Sequence, residues 1–254
     1  MSEIVVSDLT CIYDRKPVVW DLHFSVPKGA LAAVIGPNGA GKSTLIKAMI
    51  GLVPAISGKI RFFGKRADQM GLKIAYVGQR ANIDWDFPIT AFEVVLMGLY
   101  GKLGPFRRPS KKDKAEVHKI LEKIGMSALA DRQISELSGG QQQRLFVGRA
   151  LLQDADVYFL DEPFSGIDMT TEKLIVDILK ELASMGKTIF VVHHDLNTVE
   201  SYFDYAILLN MRLIAAGGLR EVFNSENLIK TFGGKGGLFD KVFLYAKEKE
   251  EGMI

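Results

Sequence analysis

Gly36-Pro37-Asn38-Gly39-Ala40-Gly41-Lys42-Ser43 fits the pattern G-x-x-x-x-G-K-[ST], and Thr44 follows it. Glycines at this spacing let backbone N–H groups converge on phosphate oxygens, and a helix N-terminus adds a favourable dipole. Lys42 is then placed to reach β- and γ-phosphates, and the Ser43 hydroxyl to ligate Mg²⁺. A plain glycine-rich turn is the alternative, but the flanks suit the phosphate reading. Leu31 to Ile35 is a continuous apolar run, and Leu45, Ile46, Met49 and Ile50 fall at helical spacing before Gly51. A second element, Val157-Tyr158-Phe159-Leu160-Asp161-Glu162, is an apolar strand ending in two carboxylates. Ligands of open parallel sheets bind beyond the carboxyl ends of strands, so Asp161 is expected near Mg²⁺ and Glu162 near an attacking water. The plainer alternative is a capping acid followed by a surface acid. A third element, Leu137-Ser138-Gly139-Gly140-Gln141, precedes a helix running to about Leu152. Alone it reads as a capped helix start. Beside a phosphate loop it reads as a second cradle, for a γ-phosphate. Two such cradles in one chain point to ATP shared between two copies.

The elements that must position these residues follow from periodicity. Ile4 to Val6, Val18 to Trp20 and His23 to Val26 are β-rich, and Gly58 to Phe63 alternates with Ile60 and Phe62 on one face. From about Gln79 to Leu152 the character is helical; Val117, Ile120, Leu121 and Ile124 share a face closed by Gly125. Leu174, Ile175, Ile178, Leu179 and Leu182 line another helix, Thr188 to Val192 is a buried strand, and Asn210-Met211 sits at a hairpin tip. The expected fold class is α/β: a P-loop NTPase core with a mostly parallel sheet, an antiparallel N-terminal β-subdomain and an inserted helical subdomain near 84–155. The whole chain, 1–254, reads as one ATP-binding domain with a charged, solvated tail near 238–254.

Composition removes other classes. Lys plus Arg number 32 against 30 Asp plus Glu, a net charge of +2 without the basic excess of a nucleic-acid binder, so no nucleic-acid partner is expected. The single cysteine, Cys11, cannot form an internal disulfide, which suits a reducing compartment. The start lacks the layout of a signal peptide, and no run approaches the ~20 apolar residues needed to span a bilayer. A soluble, intracellular globular protein is expected.

In this order the motifs resemble the nucleotide-binding subunits of ABC transporters, and the resemblance covers nearly the whole chain. It implies that Tyr13 stacks on adenine and that Gln79 is the glutamine lid that helps hold Mg²⁺. Ser165-Gly166-Ile167-Asp168 matches the loop that crosses the dimer seam, with Gly166 and Ile167 in place of the usual Ala-Leu. His194, in Val192-His193-His194-Asp195-Leu196, matches the switch histidine that contacts the γ-phosphate; His193 stands where threonine is common. The ATP-binding set is then Tyr13, Gly36, Pro37, Asn38, Gly39, Ala40, Gly41, Lys42, Ser43, Thr44, Ser138, Gly139, Gly140, Gln141 and Asp168. The catalytic set is Lys42, Gln79, Glu162 and His194, with Glu162 as general base; Ser43, Gln79 and Asp161 hold Mg²⁺.

The stretch Asp84-Trp85-Asp86-Phe87-Pro88, with Val94-Val95-Leu96-Met97-Gly98 beyond it, resembles the manganese/zinc/iron importer branch, Mn²⁺ ahead of Zn²⁺ or iron. That resemblance implies a homodimer of ATPase subunits at the cytoplasmic face of the cell membrane, a polytopic permease partner and, indirectly, an extracellular metal-binding protein. Trp85 and Phe87 form either an apolar socket for the permease or part of the helical core. The basic run Arg107 to Lys114 opposes the dipole of the helix after it and reads as a solvated loop. The other class of function is a soluble ABC-type ATPase acting in DNA repair, translation or cofactor assembly.

Overall fold

The computed structural model describes residues 3–13, 16–66, 69, 74–79, 87–104 and 107–233. The expected tail at 238–254 and the stretch 80–86, with Trp85, lie outside the described residues. The chain divides into two compact units, Met1–Gly71 with Thr188–Ile254, and Leu72–Lys187. The first opens with β1 (Glu3–Tyr13), β2 (Lys16–Pro27), β3 (Leu31–Ile35), α1 (Lys42–Met49) and β4 (Ser57–Phe62). The second holds β5 (Ile74–Val77), α2 (Ala91–Leu96), α3 (Tyr100–Leu103), α4 (Lys111–Lys123), α5 (Gly139–Leu152), β6 (Val157–Asp161) and α6 (Met169–Ser184). The first resumes with β7 (Thr188–Val192), α7 (Leu196–Tyr202), β8 (Tyr205–Asn210), β9 (Arg212–Gly218), α8 (Leu219–Val222) and α9 (Ser225–Phe232).

In the first unit, β1 pairs antiparallel with β2 on one side and β4 on the other. These strands are longer than the short β-rich segments of the sequence. Ile4 and Val6 alternate inward, as do Leu9 and Cys11, but the two pairs are out of phase by one residue. A register shift between Val6 and Leu9, with Asp8 at φ 53°, absorbs that residue and lets one strand keep a single buried face. β3 lies between β7 and β8, parallel to both, and β9 closes that edge antiparallel to β8. All five residues of β3 and of β7 are buried, the reason both read as unbroken apolar runs. Asp204 receives the Leu31 N–H at 2.9 Å, tying the start of β3 to the loop before β8; burial pushes its carboxyl pKa up.

In the second unit β5 runs parallel to β6, and α2, α4 and α5 pack on one another through Val94, Val95, Val117, Leu121 and Leu145. Each of these helices starts with a reciprocal capping box: Thr90 with Glu93, Ser110 with Asp113, and Ser138 with Gln141. The second box corrects the reading of Arg107 to Lys114 as a loop throughout. Only 107–110 is irregular, and Lys111 begins α4. The Asp113 carboxylate accepts both the N–H and the hydroxyl of Ser110, at 2.8 and 2.6 Å, which holds its pKa below the usual carboxylate range. Those bonds outweigh the unfavourable lysines of the first turn. Among the described residues no helix is long and apolar enough to cross a membrane.

Candidate functional site: a phosphate cradle and its partners

Within the first unit the cradle is built by close backbone approach. Gly41 caps α1 at φ 92°, in the left-handed region, and a Cβ there would run into the Val19 side chain on β2. A Cβ on Gly36 would likewise run into the Leu209 carbonyl oxygen on β8. Glycine is therefore required at both ends of the loop by packing as well as by phosphate approach. Lys42 folds back over the loop, its Nζ donating to the Gly36 and Pro37 carbonyls at 2.9 Å each, with 7% of its surface exposed. The loop is shaped by a buried cation, and the first turn of α1 carries no acidic residue. Ser43 and Thr44 occupy that first turn, both half-buried. The β8–β9 hairpin tip supports the cradle from behind, since the Met211 N–H donates to the Ala40 carbonyl at 3.0 Å and the Met211 carbonyl accepts from Trp20 N–H at 2.8 Å.

β7 runs beside β3, with Val192 opposite Val34, so the two histidines emerge at the strand end from which the phosphate loop departs. They differ sharply in environment: His193 is 2% exposed, whereas His194 is exposed. Burial, and then the neighbouring His194, push the His193 pKa down to about 4, so it is neutral at pH 7.

Within the second unit Val77 lies opposite Leu160, so Gln79 and the pair Asp161-Glu162 leave the same ends of neighbouring parallel strands. Asp161 is 1% exposed. Glu162 is half-buried at φ 55°, a left-handed conformation unusual for a non-glycine residue. Such backbone strain concentrates where a side chain must be aimed. Ser138, exposed, caps α5 by receiving the Gln141 N–H at 3.4 Å, while Gln141 Oε1 accepts the Ser138 N–H at 2.8 Å. A Cβ on Gly140 would lie 3.5 Å from Asp168 Oδ2, so the start of α5 and the start of α6 adjoin. Asp168 caps α6 by accepting the Thr171 N–H and hydroxyl at 2.9 Å each, and these bonds lower its pKa. Gly139 and Gly140 thus open the first turn of α5 with no side chains of their own, an arrangement suited to an anion.

A glycine loop closed by a buried lysine, set between a buried parallel strand and a helix, defines a P-loop nucleotide-binding protein. The sequence model of the ABC transporter family matches residues 19–165, more than half of the chain, and the chain belongs to that family. It is the ATP-binding and ATP-hydrolysing component, whose hydrolysis is coupled to transport. It is 54% identical over 232 residues to the zinc transport system ATP-binding protein TroB of Treponema pallidum, covering 91% of this chain and 87% of that one. It is 52% identical over 235 residues to the manganese transport system ATP-binding protein MntB of Bacillus subtilis, covering 92% and 94%. Among solved structures it is similar to a chain from an inward-facing ABC transporter assigned to the metal-chelate type. That match has a TM-score of 0.80 and 29% identity, and covers 91% of this chain and 89% of that one.

Of the expected site residues, Trp85 and the side chain of Tyr13 lie outside the described residues. Phe87 is described and is 58% exposed. Sequence reasoning missed the Met211 brace and the setting of His193. A hairpin tip was legible in Asn210-Met211, but not what it touches. The pair of histidines was visible, but not that one is buried against α7.

Proposed function

We propose that the chain binds Mg-ATP and hydrolyses it to drive import of a transition-metal ion, Mn²⁺ or Zn²⁺ with Mn²⁺ first, through a separate membrane permease. The single observation that carries this reading is the identity of about half of all residues, over nine-tenths of the chain, with zinc and manganese transport ATPases. The soluble reading, in DNA repair, translation or cofactor assembly, has no such support.

The donor set suits Mg²⁺: Ser43 offers a hydroxyl, Gln79 a carbonyl and Asp161 a buried carboxylate, all hard oxygens. When bound there, Mg²⁺ neutralises charge on the β- and γ-phosphates. Glu162 accepts a proton from water as the water oxygen attacks the γ-phosphorus, and the bond to the β-phosphate oxygen breaks to release ADP. Lys42 and His194 stabilise charge on the transferring group. Two chains sandwich two ATP molecules, with Ser138 to Gln141 of each facing the phosphate loop of the other. The assembly sits peripherally on the cytoplasmic face of the membrane, and Phe87, with Trp85, docks the permease. An extracellular metal-binding protein feeds that permease.

The test is uptake by proteoliposomes holding this chain with its membrane partner, supplied with ATP inside or outside and with Mn²⁺ or Zn²⁺. ATP-dependent uptake of either ion is expected, and Glu162→Gln should lower it by ~10²–10⁴-fold while ATP still binds. Equal turnover with and without Glu162 would remove the general base, and no metal uptake by the wild type would remove the importer reading.

A further inference from the structure

His193 is a buried, neutral imidazole that the hydrolytic scheme does not use. Its backbone N–H donates to the Val34 carbonyl at 3.1 Å, extending the β3–β7 ladder one residue past the strand. Its Nε2 lies 2.7 Å from Thr198 Oγ1 on α7. The Thr198 hydroxyl also lies 3.2 Å from the Asp195 carbonyl, to which it donates. The Nε2–Oγ1 bond runs in either direction with the ring tautomer; with the Thr198 hydrogen on the Asp195 carbonyl, Nε2–H is the donor. The ring packs beside Phe203 and Tyr202, at centroid distances of 5.2 and 6.1 Å. Asp195 in turn caps α7, accepting the Asn197 N–H at 3.1 Å. His194 is therefore the one exposed side chain of a short link held at one end by β3 and at the other by α7.

Resting on the reading of His194 as the group that meets the γ-phosphate, we propose that His193 is a positioning residue. Through Thr198 it locks the end of β7 to α7 and so aims His194. The imidazole spans the gap from the end of β7 to Thr198 while staying buried. Because the ring is uncharged at pH 7, it does not compete electrostatically with His194 for the phosphate.

The test measures Mg-ATP turnover of the full-length chain for His193→Ala, His193→Gln, Thr198→Val, His194→Ala and the double variant His193→Ala/His194→Ala. His193→Ala and Thr198→Val should each lower kcat by about tenfold to a hundredfold, the scale on which misplacing a group costs rate. KM for ATP should change by less than about twofold, because neither residue holds the nucleotide. His193→Gln, whose amide nitrogen can donate from the Nε2 position, should keep most of the activity. In the His194→Ala background the His193 substitution should cost nothing further. An equal loss on both backgrounds, or wild-type kcat in both His193→Ala and Thr198→Val, overturns the inference. Wild-type turnover in His194→Ala would overturn the parent reading and this one with it. Should the alanine variant fail to fold, Thr198→Val decides: a loss of kcat is expected, and wild-type kcat there refutes the link to Thr198.

Discussion

The Met211 N–H donates to the carbonyl of Ala40 at 3.0 Å, so a residue at a hairpin tip holds the middle of the phosphate loop. Met211 does so at φ 57°, a conformation that glycine adopts without steric cost. Met211→Gly keeps the bond and relieves the strain, so it should stabilise the chain by up to about 1 kcal/mol, or ~2–4 °C in Tm. Met211→Pro removes the N–H and cannot adopt a positive φ, at a cost of ~3 kcal/mol or more. Fluorescent-nucleotide titration should show weaker ATP binding in the proline variant and near-wild-type binding in the glycine variant. Equal affinity in a folded proline variant would show that the brace does not shape the loop.

The site should be composite. In mixed dimers, Lys42→Ala and Ser138→Arg on different chains leave one intact phosphate loop facing one intact signature. With both substitutions on one chain, each site has lost a half. ATP-dependent turnover should therefore be higher in the first arrangement than in the second. The reverse ranking would mean that each chain completes its own site.

Phe87 exposes 58% of its surface, so its truncation removes little packing. Phe87→Ala should leave Tm within about 2 °C of wild type, in keeping with the ±0.5 kcal/mol typical of surface changes. If the ring anchors the permease, the same change should weaken the complex by about 2 kcal/mol, roughly thirtyfold, in a pull-down or titration with the membrane subunit. A large drop in Tm would return Phe87 to the core.

His193 also makes stability pH-dependent, with the sign fixed by a depressed pKa. The ionisable groups facing the ring are His194, which lowers its pKa, Asp195, which raises it, and the Tyr202 phenol on α7. In the unfolded chain the imidazole titrates near 6.5, and in the folded chain at about 4. Between these values the unfolded state binds the extra proton, so stability is full above pH 6.5 and falls as pH drops towards 4. The total is roughly 3 kcal/mol. Urea melts across this range should show the decline, and His193→Gln should flatten it.

The sequence alone specifies the chemistry that lies in consecutive residues. The phosphate loop from Gly36 to Ser43, the strand ending in Asp161 and Glu162, and the capped start at Ser138 are each set by a few neighbours, because turns, caps and strand ends are local physics. It also determined the buried strands β3 and β7, whose apolar runs leave no exposed face. The remaining features depend on contacts between distant segments. The phase shift at Asp8 is chosen by which face of β1 must be buried, which alternation alone does not show. The length of β1 and β2 follows from their pairing, since β-propensity is mostly packing against neighbours. Whether His193 or His194 is buried depends on α7 closing over one ring, and two identical adjacent residues carry no local difference. The tie between Met211 and Ala40 is a backbone bond, made by atoms every residue shares, so no choice of side chain could have announced it.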